Sequence, residues 1–191
     1  MKLVYTPRSH FSRKVRILLD AWRVHVDVED AGDVSAMTTH GQHPLMRVPT
    51  LIDGETAVFE SDHIARYLTK RHDPTDRFGV LCEAVDQVNA TAVMNGVMAA
   101  EVELILAKRT GIPIEQYVRF DKHLKTIQQG LAWLEHNSQI FPATPCYRGF
   151  HLVCLWDHLA FYDTISLEYP KLLAIVSNLS QLPYVAKSAP V

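Results

Sequence analysis

Apolar and polar positions change their period along this chain in a way that separates two halves. Residues 2–5, Lys-Leu-Val-Tyr, make a short apolar run of strand length. After Thr6-Pro7-Arg8-Ser9, the residues Phe11, Val15, Leu18, Leu19 and Trp22 recur at helical spacing and form one stripe. Val24, Val26 and Val28 then alternate with polar residues, the period of a half-buried strand. A strand–helix–strand opening predicts parallel strands joined by a right-handed crossover. Residues 29–46 are polar and irregular, with a helical turn expected near 34–39.

The next segment is the most informative. Val48-Pro49-Thr50-Leu51-Ile52-Asp53-Gly54, followed by Phe59-Glu60-Ser61, reads as a strand, a tight turn, a second strand and a helix starting at a serine. Asp53-Gly54 suits the positive φ angles of a two-residue turn. Ser61 is placed to cap the helix by accepting a backbone N–H bond. Pro49 suits the opening of a strand, where its missing N–H disturbs no ladder. Together these leave backbone groups at Val48 and a positive helix end at Ser61. Such a pocket fits an extended, peptide-like, anionic ligand.

Beyond the turn-rich break His72-Asp73-Pro74-Thr75-Asp76 the periodicity is helical only. Helices are expected from about Gly79 to Arg109, from Ile114 to about Asn137 and from Arg148 to Tyr162, with shorter ones over 167–176 and 179–187. The reading is an α/β domain over residues 1–74 and an all-α domain over 79–191, both of ordinary domain size.

Composition narrows the class. A net charge of −2 over 191 residues shows no basic stripe, so no nucleic-acid partner is expected. No apolar run is read as a membrane span, and the N-terminus lacks the regions of a signal peptide. Cys82, Cys146 and Cys154 have neither metal-like nor C-x-x-C spacing, which points to a reduced, cytoplasmic setting and to cysteines acting as small buried hydrophobes. His40 and His43 lack nearby cysteine or acidic partners, so no metal is expected.

The order of these elements, with Val-Pro before a hairpin and Glu-Ser opening a helix, resembles the cytosolic glutathione transferases. The motifs carrying the likeness are Ser9-His10-Phe11-Ser12-Arg13-Lys14-Val15-Arg16, His43-Pro44-Leu45-Met46-Arg47-Val48-Pro49 and Glu60-Ser61. Arg16 lies seven residues after Ser9, similar to the offset from the catalytic residue to a helix-one arginine in serine-type and cysteine-type members. The resemblance implies a thioredoxin-like N-terminal domain followed by an all-helical C-terminal domain, glutathione as co-substrate and a homodimer. By the same resemblance Val48 pairs with the cysteinyl backbone of glutathione and Pro49 is a cis-proline. Glu60 meets the γ-glutamyl amino group, and Ser61 with its helix end meets the γ-glutamyl carboxylate. His40, Gln42 and Arg47 are candidates for the glycyl carboxylate, with Arg47 preferred.

Ser9 carries the expected chemistry. A thiol of pKa about 8.5 is only a few per cent ionised at neutral pH, and lowering it to about 6.5 takes roughly 2.7 kcal/mol. A hydroxyl hydrogen bond to an anion contributes about 1.5–3 kcal/mol, and a helix N-terminus adds about 0.3–1 kcal/mol. Ser9 therefore need only donate a hydrogen bond. Tyr5, at the end of the first strand, is the rival donor, as tyrosine-type members place theirs there. Ser12 is a third candidate, or a helix cap. His10 is read as a solvated or loop-contacting side chain, with a group titrating near neutral pH as the alternative, and Glu101 and Glu103 as a solvated helix face. Met94, Met98, Tyr117, Phe120 and Trp156 are read as core, with a cleft lining for an apolar co-substrate as the alternative.

One departure from the family pattern stands out. Neither Cys146-Tyr147-Arg148-Gly149 nor His151-Leu152-Val153-Cys154 supplies the Ser/Thr-x-x-Asp cap of the second domain's central helix, and the C-terminal segment is short for the family. The leading expectation is a cytoplasmic, detoxifying glutathione transferase of bacterial-like serine type, acting on an electrophilic small molecule. The alternatives are a non-catalytic binding or regulatory protein on this fold and a glutathione-dependent isomerase.

Overall fold

The computed structural model describes residues 1–36 and 43–189, which divide into two compact units, Met1–Leu81 with Leu182–Val191, and Cys82–Gln181. Residues 182–189, read from sequence as part of the helical half, thus group with the first unit.

In the first unit β1 (Lys2–Tyr5) leads into α1 (His10–Trp22) and then β2 (Asp27–Asp30), which pairs parallel to β1. β3 (Thr50–Asp53) and β4 (Thr56–Phe59) form an antiparallel hairpin, and β3 pairs antiparallel with β1, giving the order β2-β1-β3-β4. α2 (Ser61–His72) follows. Leu3, Val15, Leu19, Leu51, Ile64 and Leu68 form the core between the sheet and these helices.

Two local expectations change. β2 starts at Asp27, not Val24, because α1 ends on Arg23 in the left-handed conformation with Val24 N–H bonded back to Leu19 O. Val24 and Val26 pack on the core from this helix exit, while Val28 is 61% exposed on an acidic edge strand. The hairpin loop is Gly54-Glu55 rather than Asp53-Gly54, since Asp53 still pairs with Thr56. Only Gly54 has a positive φ, 60°, which suits a II′ turn with glycine in its first central position.

After α2 the chain does not enter a helix at Gly79. Asp76 accepts bonds from the amides of Val80 and Leu81 at 2.7 and 2.8 Å, a local alternative to helical bonding. The C-terminal α7 (Pro183–Ala186) buries Val185 in the first unit. Lys187 there pairs with Asp20 at 2.7 Å, and Arg13 donates to Ser188 at 3.2 Å.

The second unit contains α3 (Val85–Arg109), α4 (Val118–His136), α5 (Tyr147–Tyr162) and α6 (Pro170–Leu179). α3, with 25 residues and a mean hydropathy of 1.4 over its most apolar window, is long and apolar enough to cross a membrane, correcting the reading that no segment is. Its apolar residues Met94, Val97 and Leu104 are instead buried, and α3 packs on α4 and α5. Its closeness to α4 depends on Gly130, where an added Cβ would collide with Val97. α4 is preceded by a separate helical turn, Ile114–Gln116, because Tyr117 takes an extended conformation. α6 starts on Pro170, and Glu135 accepts the amides of Lys171 and Leu172 at 3.0 Å each.

α5 is capped, against expectation. Cys146 is its N-cap, and Sγ accepts the Gly149 amide at 3.3 Å, so a thiol takes the place of the expected hydroxyl. Glu101 is not solvated either. It is fully buried, with its carboxylate 2.9 Å from His158 Nδ1 and accepting from Thr164 Oγ1 at 3.3 Å. Glu103 is exposed and 3.6 Å from Arg119. Cys154 is buried, Cys146 half-buried and Cys82 exposed, so the small-hydrophobe reading fits Cys154 best. Met94, Met98 and Trp156 are core, whereas Tyr117 is exposed and stacks edge-on to half-buried Phe120.

Candidate functional site

The site is built from the start of α1, the loop before β3 and the start of α2, all in the first unit. Ser9 is the N-cap of α1, with extended dihedrals and an Oγ that accepts the Ser12 amide at 3.1 Å. A hydroxyl oxygen that accepts one bond keeps its own proton for an external acceptor. Ser9 is half-buried, so one side of it faces solvent. The cap and the candidate donor are therefore the same group, held at the positive end of a 13-residue helix.

The rivals separate. Tyr5 is half-buried at the end of β1, and the Arg16 guanidinium lies 5.0 Å from its ring centroid. Arg16, read from sequence as a family marker, thus holds the Tyr5 ring. Ser12 is fully buried and its hydroxyl finds no hydrogen-bond partner among the described residues. Capping falls to Ser9, and Ser12 contributes only its backbone amide. His10, read as solvated or loop-contacting, is not solvated: it is only 3% exposed, with its ring centroid 4.6 Å from that of Phe11.

The Val48-Pro49 bond is cis. The approach to it is shaped by His43, whose Nδ1 accepts the Leu45 amide at 3.1 Å and whose carbonyl accepts the Met46 amide at 3.0 Å. The buried His43 ring packs 4.5 Å from Phe59. Met46 follows with a φ of 53°, an uncommon conformation for a bulky residue and one found at ligand loops. Val48, half-buried, makes no backbone hydrogen bond among the described residues. His40 and Gln42 lie outside the described residues.

The start of α2 differs from the sequence reading in one useful way. Ser61 is the first helical residue, not the cap. The cap position is Glu60, with φ 63° and ψ 128° and no side-chain bond to the helix. The first helical bond runs from the Ile64 amide to Glu60 O at 2.9 Å. The Glu60 side chain makes no capping bond to this end, which leaves it suited to an anion. Ser61 is buried beneath it. Arg47 and Glu60, both exposed, come within 4.0 Å, so the fold brings together two residues that the sequence could only nominate separately.

Behind the hairpin, Tyr67 donates to Asp53 at 2.8 Å, and Arg71 pairs with Asp53 at 2.8 Å. The hydrogen bond to Asp53 raises the Tyr67 pKa above its ordinary value, so this brace stays protonated.

Sequence reasoning gave Lys14 no role. It is fully buried and its Nζ lies 2.8 Å from Asp62 Oδ1. The signal was present, since Phe11, Lys14, Val15 and Leu18 share the apolar face of α1 and a charge there needs a partner.

Residues 3–76 match the family model of the glutathione S-transferase N-terminal domain. Solved structures share the fold over nearly the whole chain. A glutathione S-transferase from Methylobacterium radiotolerans, in complex with glutathione sulfonate, is 21% identical with a TM-score of 0.80, covering 99% of this chain and 94% of its own. A glutathione transferase family member from Pseudomonas fluorescens Pf-5, with bound glutathione, is 21% identical with a TM-score of 0.85, covering 100% and 98%. A bacterial zeta-class maleyl pyruvate isomerase is 20% identical with a TM-score of 0.77, covering 100% and 97%. Among curated proteins none matches the sequence.

Proposed function

We propose that this chain binds glutathione and activates the thiol for attack on an electrophilic small molecule, since residues 3–76 match the family model of the glutathione S-transferase N-terminal domain and the chain takes the fold of those proteins. The observation that carries this reading is Ser9, an N-cap whose hydroxyl proton is available to a sulfur anion. The ligand's cysteinyl backbone would pair with Val48 beside the cis bond, as an added strand does. Its γ-glutamyl carboxylate would sit at the uncapped start of α2 with Ser61, and its amino group against Glu60. Arg47 would take the glycyl carboxylate.

In this mechanism the thiol proton leaves to solvent while Ser9 donates to the sulfur. The thiolate pair then forms a bond to the electrophilic carbon. In a substitution the bond to the leaving group breaks and a halide departs as the anion, and in an addition the carbanion takes a proton from solvent. The Ser9 bond and the α1 dipole together supply about 2–4 kcal/mol, enough for a shift of two pKa units. Ser9 forms no covalent bond.

Retention on immobilised glutathione and turnover of a generic aryl halide test the reading. Wild type should be retained and active, and Ser9→Ala should be retained with turnover lowered about 10²-fold, the loss of most of that stabilisation. No retention and no turnover would overturn it. Retention with turnover untouched by Ser9→Ala would move the donor role to Tyr5.

A second reading, a glutathione-dependent cis–trans isomerase, uses the same thiolate and is favoured by the likeness to the maleyl pyruvate isomerase. Turnover of a cis-alkene dicarboxylate with no net consumption of thiol would select it. The non-catalytic alternative loses one of its two supports, because the central helix of the second unit is capped by Cys146, and keeps the other, the short C-terminal segment.

A further inference from the structure

α2 begins with a conflict of charge. Asp62 is the second residue of the helix, immediately after Ser61. An aspartate in the first turn answers the positive end of the helix dipole and stabilises the isolated helix. The same carboxylate opposes any second anion brought to that end. A helix start that is to hold a substrate carboxylate is therefore weakened by Asp62 unless its charge is answered from elsewhere.

The answer comes from α1. Lys14 lies five residues after Ser9, its side chain is 0% exposed, and its Nζ lies 2.8 Å from Asp62 Oδ1, on a carboxylate 27% exposed. The Phe11 ring centroid is 5.9 Å from the same ammonium. Inside the protein this attraction is screened far less than at the surface. The other acidic residue flanking Ser61 is also matched, since Glu60 has Arg47 within 4.0 Å. With both carboxylates answered, the dipole and the uncapped amides decide what α2 attracts.

We propose that Lys14 is a positioning residue, which neutralises and orients Asp62 so that the start of α2 remains open to the γ-glutamyl carboxylate. The pair also ties the helix start that bears Ser61 to the helix that Ser9 caps, five residues from the thiol donor. This inference rests on the glutathione reading above.

The test measures glutathione affinity by calorimetry for wild type, Lys14→Met and the double variant Lys14→Met/Asp62→Asn, with a thermal melt of each. Lys14→Met removes the buried ammonium that faces Asp62 and should weaken binding about tenfold. The double variant removes both charges and should return to within about threefold of wild type, a recovery that a merely mechanical strut would not give. If Lys14→Met alone fails to fold, the double variant carries the comparison. Wild-type affinity in Lys14→Met, a double variant no tighter than Lys14→Met, or unfolding of both variants would each overturn the proposal. A wild type that binds no glutathione would remove the glutathione reading together with this one. Wild-type binding with Lys14→Met unaffected would remove this one alone.

Discussion

Ser9 performs two tasks that a single substitution can separate. Its oxygen caps α1 by accepting the Ser12 amide, and its proton is the proposed donor to sulfur. Aspartate caps a helix about as well as serine but is an anion with no proton to give at neutral pH. Ser9→Asp should therefore melt near wild type and lose turnover at least as fully as Ser9→Ala. Ser9→Ala should lose about 0.5–2 kcal/mol of stability along with its activity. Equal stability losses in the two variants would mean that the cap bond contributes little. The serine was legible because a hydroxyl before an apolar helical stripe is a cap signal whatever else it does. Its burial, and that of His10 and Ser12 beside it, was not legible. The turn at 6–9 looks polar in sequence, and nothing local shows which of its side chains the fold encloses.

At the scale of elements, the start of α5 depends on a thiol. Cys146 accepts the Gly149 amide, and Gly149 also lets Leu179 approach, since an added Cβ would lie 2.6 Å from Leu179 Cδ1. Burial raises the Cys146 pKa above its ordinary value, opposed more weakly by the Gly149 amide and by Arg148. A group whose folded pKa is raised holds its proton more tightly in the fold. Its contribution is complete below the unfolded pKa of about 8.5–9 and is lost as pH rises toward the folded value. Melting temperature should fall more between pH 8 and pH 10 in wild type than in Cys146→Ser, which keeps a cap but does not titrate there. Cys146→Ala should be less stable at pH 7 by up to about 2 kcal/mol. An identical alkaline fall in wild type and Cys146→Ser would remove this role.

The same helix shows why some boundaries were misread. A search for hydroxyl and carboxyl caps passes over sulfur. At Asp76 and Tyr117, side-chain and backbone choices interrupt patterns that remain periodic in the sequence. The hairpin was legible because Gly54 alone meets the need for a positive φ, although the loop sits one residue further on than expected.

For the whole molecule, the order of elements and the two-part division were readable because the period changes from strand-like to helical near residue 78. The return of residues 182–189 to the first unit was not, because Arg13 and Ser188 meet across 175 positions and no local pattern carries such a contact. Along α3 the exposed positions Val85, Val88, Ala92, Gly96 and Ala99 form an uncharged stripe, with Val85 74% exposed. We propose that a second copy covers it in a homodimer. Val88→Glu should convert a dimer to a monomer in sedimentation, and a wild type already monomeric at micromolar concentration would contradict this.

The central claim is that the protein lowers the pKa of a glutathione thiol through Ser9. Ultraviolet titration of glutathione bound to the wild-type protein follows thiolate absorbance directly. The expected midpoint lies about two units below the free thiol value of about 8.5, with Ser9→Ala returning most of the way toward it. A bound thiol that titrates like free glutathione in the wild type would contradict the claim.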